Sequence, residues 1–139
     1  MQQGLDPHVF HAYDIRGTVG DQLTPDSVRV IARAFGTQFR QAHERPVLVV
    51  GRDLRASSQE FAAVAMEALR ATGCDVIDVG ECPTPVVYFA IGQWGAHGGL
   101  GITASHNPPQ YNGMKLRWGD GPYYGDQLQE LYQAAAAGD

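Results

Sequence analysis

Val47-Leu48-Val49-Val50, followed by Gly51-Arg52-Asp53-Leu54-Arg55, reads as a strand that runs out into a polar turn. The apolar run is continuous rather than alternating, as expected of a strand covered on both faces. Ser57 and Glu60 then have the spacing of a capping box. Phe61, Val64, Ala65, Ala68 and Leu69 follow at helical intervals, with Gly73 as the predicted stop. A strand, a turn and an amphipathic helix therefore succeed one another within about thirty residues, the length of half a β-α-β unit and its crossover.

The same alternation extends in both directions. Upstream, Thr24-Pro25-Asp26 places an N-cap, a proline at the first helical position and an acid in the first turn. Val28, Ile31, Ala32, Phe35 and Phe39 then form one apolar face. Downstream, Val76, Ile77 and Val79 predict a strand, and Thr84-Pro85 starts a third helix. Its expected buried stripe is Val86, Val87, Ala90, Ile91 and Trp94, closed by Gly95. Gly98 to Thr103 predicts the next strand and Gly113 to Trp118 the one after. Asp120-Gly121-Pro122 is a turn, and residues 125–137 are helical in pattern. The expected fold is α/β: a three-layer α/β/α sandwich over a single domain, 1–139. Its sheet is mixed and mainly parallel, with one antiparallel strand at or near an edge, because only a loop joins the last two strands.

Composition narrows the function classes. The chain has an apolar fraction of 44% and a net charge of -5, a poor match for nucleic acid or anionic membrane surfaces. No apolar run approaches bilayer length, and the polar start Met1-Gln2-Gln3-Gly4 does not read as a signal peptide. Cys74 and Cys82 lack metal-like spacing and are expected as free thiols in a reducing cytoplasm. His8, His11, His43 and His97 are expected as surface or packing residues.

The chemistry concentrates in Thr103-Ala104-Ser105-His106-Asn107-Pro108, stiffened by Pro108 and Pro109 and followed by Asn112-Gly113-Met114-Lys115. Ser105 has three readings. It bonds only its own backbone, as loop serines commonly do. It is a hydrolase nucleophile, although no Gly-x-Ser-x-Gly elbow surrounds it. Or it carries phosphate, a dianion that needs cations and donors nearby, for which Arg16, Arg52, Arg55 and Lys115 are candidates. His106 suits acid–base work, since imidazole titrates near neutrality, or else orders the loop.

Thr103 to Pro108, with Asn112-Gly113-Met114-Lys115, resembles the phosphoserine loop of the α-D-phosphohexomutases. The Ser-His-Asn-Pro-Pro-x-Tyr-Asn-Gly form is nearest the bacterial phosphomannomutase/phosphoglucomutase branch. Tyr13-Asp14-Ile15-Arg16-Gly17 and Gly51-Arg52-Asp53 resemble two further motifs of that family, in the same order. The resemblance implies an isomerase that interconverts hexose 1-phosphate and hexose 6-phosphate through a phosphoserine and a hexose 1,6-bisphosphate. It implies Ser105 as phosphorylated nucleophile and, through its phosphate, as a Mg²⁺ ligand. Arg16 and Lys115 would stabilise the transferring group, His106 and Asn107 would order the site, Tyr13 would support it, and Arg52 would meet phosphate or sugar. Family members have four domains, so the chain is expected to be the first of them and weakly active or inactive alone. The choice of glucose or mannose, and the Asp-Gly-Asp-x-Asp metal loop, belong to the later domains. The competing reading is a free-standing, non-catalytic α/β module that binds sugar phosphate or a protein partner. An exposed apolar face would favour the multidomain reading over it.

Overall fold

The computed structural model describes residues 5–11, 14–104, 107–119 and 121–138. After a 3-10 turn at Pro7–Val9 come β1 (Ile15–Thr18), α1 (Pro25–Ala42), β2 (Val47–Arg52), α2 (Ser58–Ala71) and β3 (Asp75–Glu81). Then come α3 (Thr84–Gln93), β4 (Gly98–Ile102), β5 (Tyr111–Trp118), the short β6 (Gly121–Pro122) and α4 (Asp126–Ala137). The main sheet has the order β1-β5-β4-β2-β3, with β6 paired to β5. Pairs β2–β3 and β2–β4 are parallel, while β5 runs antiparallel to both β4 and β1. The antiparallel strand thus sits one place in from the edge, and β1 takes the edge itself. That position is what later brings Arg16 beside Lys115.

The helices fall on opposite faces for a topological reason. The step β2→β3 goes outward and the step β3→β4 returns across β2. Right-handed crossovers in opposite directions must pass over opposite faces of the sheet. Accordingly α1, α2 and α4 share one core, with Phe35, Phe39, Phe61, Leu69, Leu100 and Leu131 buried in it. On the other face α3 packs alone, through Val87, Ala90 and Ile91 against Val49. It can come close because the sheet beneath it is bare: a Cβ on Gly51 would lie 2.6 Å from Val87 Cγ2, and one on Gly99 would meet Val49 O and Ile91. Gly51, Gly99 and Gly101 serve this packing, while Gly98 faces Phe39 of α1 on the other side.

Helix starts follow local chemistry in α1 and tertiary demand in α2. Thr24 caps α1 as expected, and its partner is Ser27: Ser27 N donates to Thr24 Oγ1 (3.1 Å) and Thr24 N to Ser27 Oγ (2.8 Å). The expected Ser57–Glu60 box does not form. Ser57 caps α2 without a side-chain bond, and its Oγ accepts from Asn112 Nδ2 instead (2.7 Å). The α3 stripe also needs correction, since Val86 and Trp94 are 41% and 57% exposed, beside Phe89 at 69%. This helix is apolar almost all round, so periodicity could not select the inward face. Gly73 (φ 97°) and Gly95 (φ 61°) do terminate their helices in the left-handed region. Cys74 and Cys82 are free, and burial pushes both thiols up.

Tyr123 joins α1 to the segment before α4. Its ring lies edge-on to Phe35 (5.2 Å) and its hydroxyl donates to Gln38 Oε1 (2.6 Å). Burial pushes its pKa from 10.0 up to about 12. The folded state favours the neutral phenol, so this contribution is complete below pH 10 and lost as pH rises toward 12. An absorbance titration at alkaline pH is expected to show one late phenolate step that coincides with loss of circular dichroism and is missing from Tyr123→Phe. Titration of all tyrosines together in a still-folded chain would contradict it.

Candidate active site

The described part of the site is built where β1, β5 and the β4–β5 loop meet. Arg16 pairs across the sheet with Gly113, so Arg16 and Lys115 fall two residues apart on one face. Gly113 is required there. A Cβ would drive into Ile15 O and stand 3.0 Å from both Arg16 Cγ and Thr103 O. Lys115 pairs with Gly101 of β4, which leaves open backbone rather than a side chain beside it.

Asp14 gathers these cations. Its carboxylate is almost fully buried, accepting from Arg16 Nε at Oδ1 (2.9 Å) and from Lys115 Nζ at Oδ2 (3.3 Å). Arg16 Nη1 reaches on to Asn107 Oδ1 (3.1 Å). One carboxylate against two cations leaves a net positive charge, and both cations keep about a third of their side-chain surface in solvent, 35% and 27%. Such a group is preorganised for an anion: the buried acid holds the cations in place while their outer N–H groups remain reachable.

Of the residues singled out from sequence, the structure brings Arg16, Lys115 and Asn107 together. Arg52, at the end of β2, bonds to Glu81 Oε1 (3.5 Å), on the side of β2 away from β5. Arg55 is drawn into the β4–β5 loop rather than toward Lys115, as set out below. Tyr13, Ser105 and His106 lie outside the described residues. The chain that flanks the last two is ordered by Thr103 N donating to Gly113 O (2.9 Å) and Asn107 N donating to Ala104 O (3.1 Å).

Sequence reasoning missed Asp14 and Asp53 as organisers. Each stands one or two residues from an arginine, in Asp14-Ile15-Arg16 and Asp53-Leu54-Arg55, and that shared i, i+2 acid–arginine spacing was the available signal. Beside the site, at the carboxyl ends of β2 and β3, opens a cleft of about 640 Å³ lined by Asp53, Leu54, Arg55, Cys82, Pro83 and Pro109. This is where open α/β sheets receive ligands. Among the described residues, no three of His, Cys, Asp or Glu converge as a metal-binding group.

Residues 7–139 match the family model described as phosphoglucomutase/phosphomannomutase, alpha/beta/alpha domain I. A phosphoglucomutase/phosphomannomutase of Thermococcus kodakarensis is 47% identical over 109 residues, which is 78% of this chain and 24% of that protein. A phosphomannomutase/phosphoglucomutase of Pseudomonas aeruginosa is 40% identical over 135 residues, 97% of this chain and 29% of that protein. The crystal structure of a phosphoglucomutase/phosphomannomutase family protein from Burkholderia thailandensis superposes with a TM-score of 0.89 at 41% identity, over 96% of this chain and 31% of that one. The chain thus spans 24% to 31% of the length of these proteins.

Proposed function

The chain belongs to the phosphoglucomutase/phosphomannomutase family, and on that premise we propose that it is the N-terminal, phosphoserine-bearing domain of a hexose phosphate mutase. The observation that carries this reading is the buried Asp14 carboxylate that holds Arg16 and Lys115 side by side next to Asn107. The substrates are hexose 1-phosphate and hexose 6-phosphate, of glucose or mannose. Hexose 1,6-bisphosphate is the intermediate and activator, and the cytoplasm is the setting.

In the first half-reaction the phosphoserine P–O bond breaks as a P–O bond to a sugar hydroxyl forms. The hydroxyl proton is lost and the Ser105 oxygen gains one. The bisphosphate reorients and the reverse step rephosphorylates Ser105. Phosphoryl transfer needs in-line positioning and neutralised equatorial oxygens more than covalent help. Arg16 and Lys115 supply two of those charges, aimed and restrained by Asp14. Asn107 orients Arg16, while His106 and Tyr13 complete the ordering of the loop. Arg52, at the end of β2 and bonded to Glu81, would turn to meet the far phosphate or the sugar. The described residues do not by themselves make a Mg²⁺ site; Mg²⁺ would be held by the Ser105 phosphate and by protein ligands beyond them.

Exposed Val86 and Phe89 on α3, with Trp94 at its end, support the domain reading over a free-standing module. A single helix that is apolar on its outer side too is suited to being covered by further protein.

Intact mass tests the proposal. The chain, treated with hexose 1,6-bisphosphate and Mg²⁺ in the presence of the remaining domains of a full-length relative, is expected to gain one phosphoryl group. Ser105→Ala is expected to gain none. An unchanged wild-type mass, or equal gain by the variant, would overturn it.

A further inference from the structure

The β4–β5 loop has an accounting problem. Pro108 and Pro109 have no N–H, so the loop cannot satisfy its own carbonyls by an ordinary ladder. Arg55 answers it from the turn after the neighbouring parallel strand β2. Its Nη1 donates to Pro108 O (2.8 Å) and Tyr111 O (3.2 Å), and its Nη2 to Asn107 O (2.9 Å). A planar guanidinium is the side chain that can reach several carbonyls in fixed directions; an ammonium cannot copy the fork.

The fork is itself held. Arg55 Nε donates to Asp53 Oδ2 (3.1 Å) and Arg55 N to Asp53 Oδ1 (3.0 Å). Asp53 also accepts from Ser58 Oγ (2.5 Å), and its own N–H donates to Ile102 O (3.0 Å). Burial works to raise the Asp53 carboxyl, but hydrogen bonds from Ser58, Arg55 and Thr103 outweigh it and hold it below the ordinary carboxylate value. At the loop's far end Asn112, fully buried, donates to both Ser57 Oγ and Ser58 Oγ (2.7 and 3.0 Å). The loop is therefore bolted to the start of α2 at two points. The same Asn107 whose carbonyl Arg55 holds offers its side chain to Arg16.

We propose that Arg55, backed by Asp53, is a positioning residue: it clamps the carbonyls of Asn107, Pro108 and Tyr111 and so fixes the loop that carries Ser105 against Arg16 and Lys115. It acts through the loop and binds no phosphate. The clamp stands on geometry alone; its effect on rate rests on the phosphoserine reading above.

Arg55→Lys and Arg55→Ala separate the two. Amide hydrogen exchange by NMR is the first readout. In either variant the Asn107 and Tyr111 amides, bonded to Ala104 O and Pro108 O, are expected to exchange at least about tenfold faster, while the amides of β2 and β4 are unchanged. Unaltered loop exchange would overturn the clamp. The second readout is phosphorylation by hexose 1,6-bisphosphate with the remaining domains supplied. The maximal rate is expected to fall about tenfold to a hundredfold, as for a small misplacement of reacting groups, with half-saturation held within about twofold. Millimolar guanidinium is expected to restore Arg55→Ala, and methylammonium is not. An undiminished maximal rate, or a raised half-saturation alone, which would mark direct phosphate binding, would overturn the positioning role. A wild-type chain that takes no phosphoryl group would instead sink the phosphoserine reading, and the positioning role with it, while the exchange rates still decide the clamp. Arg55→Lys keeps a long cationic side chain and serves if Arg55→Ala does not fold.

Discussion

Lys115→Ala is expected to slow phosphoryl transfer at Ser105 by about two to three orders of magnitude, the ~2.7–4 kcal/mol lost with a single preorganised donor at a developing oxyanion. The fold should survive. Lys115 lies on β5, whose backbone is held by β4 on one side and β1 on the other, and the residue faces a glycine across the β4 pair. Asp14 keeps Arg16 after the ammonium is gone. The loss therefore falls on the ammonium end of the side chain, which solvent reaches, rather than on packing. Rate and thermal midpoint should be measured on the same sample. A rate within a few-fold of wild type would show that Lys115 takes no part in transfer. A rate loss matched by a collapse in stability would show that its role is structural.

Gly113→Ala is expected to damage the fold itself. The added methyl has nowhere to go: Ile15 O, Arg16 Cγ and Thr103 O converge on it, two of them main-chain atoms that cannot rotate away. The only relief is to push β1 off β5. Overpacking that forces side chains and backbone to shift costs about 1–3 kcal/mol, and with two main-chain oxygens in the way a loss at the upper end, about 3 kcal/mol, is expected. For a domain of this size that is a fall in thermal midpoint of roughly 10 °C. Because Arg16 lies directly across from Gly113, the same displacement would part Arg16 from Lys115 and abolish transfer in whatever remains folded. A variant with wild-type stability and rate would mean that β1 does not pack on β5 at this register.

Much of the architecture was legible because it rests on neighbours in the chain. Thr24-Pro25 starts α1, Gly73 and Gly95 end their helices, and Val47 to Val50 forms a strand buried on both faces, each for reasons confined to a few residues. Where local signals misled, a distant partner had claimed the group. Ser57 has the spacing of a capping box, but its hydroxyl goes to Asn112, 55 residues away. The outer side of α3 is as apolar as its inner side, so only the bare glycine floor of the sheet selects which one is buried.

The sequence by itself determined the order of β2 to β5 and of the four helices, the cap of α1 and the stops of α2 and α3, the family motifs and the identity of the loop that bears Ser105. These depend on propensity, spacing and turn chemistry, which act over a turn or two. Only the tertiary structure decided what each cation contacts. Arg16, Arg52, Arg55 and Lys115 were all candidate cations as letters, and the family resemblance set Arg16 and Lys115 apart without showing their contacts. In the fold Arg16 and Lys115 converge on Asp14, the latter across 101 residues, while Arg55 is spent on loop carbonyls and Arg52 on Glu81. That division follows from strand order and register. A shift of one residue between β1 and β5 would send Arg16 to the opposite face of the sheet from Lys115, and no local pattern encodes that pairing.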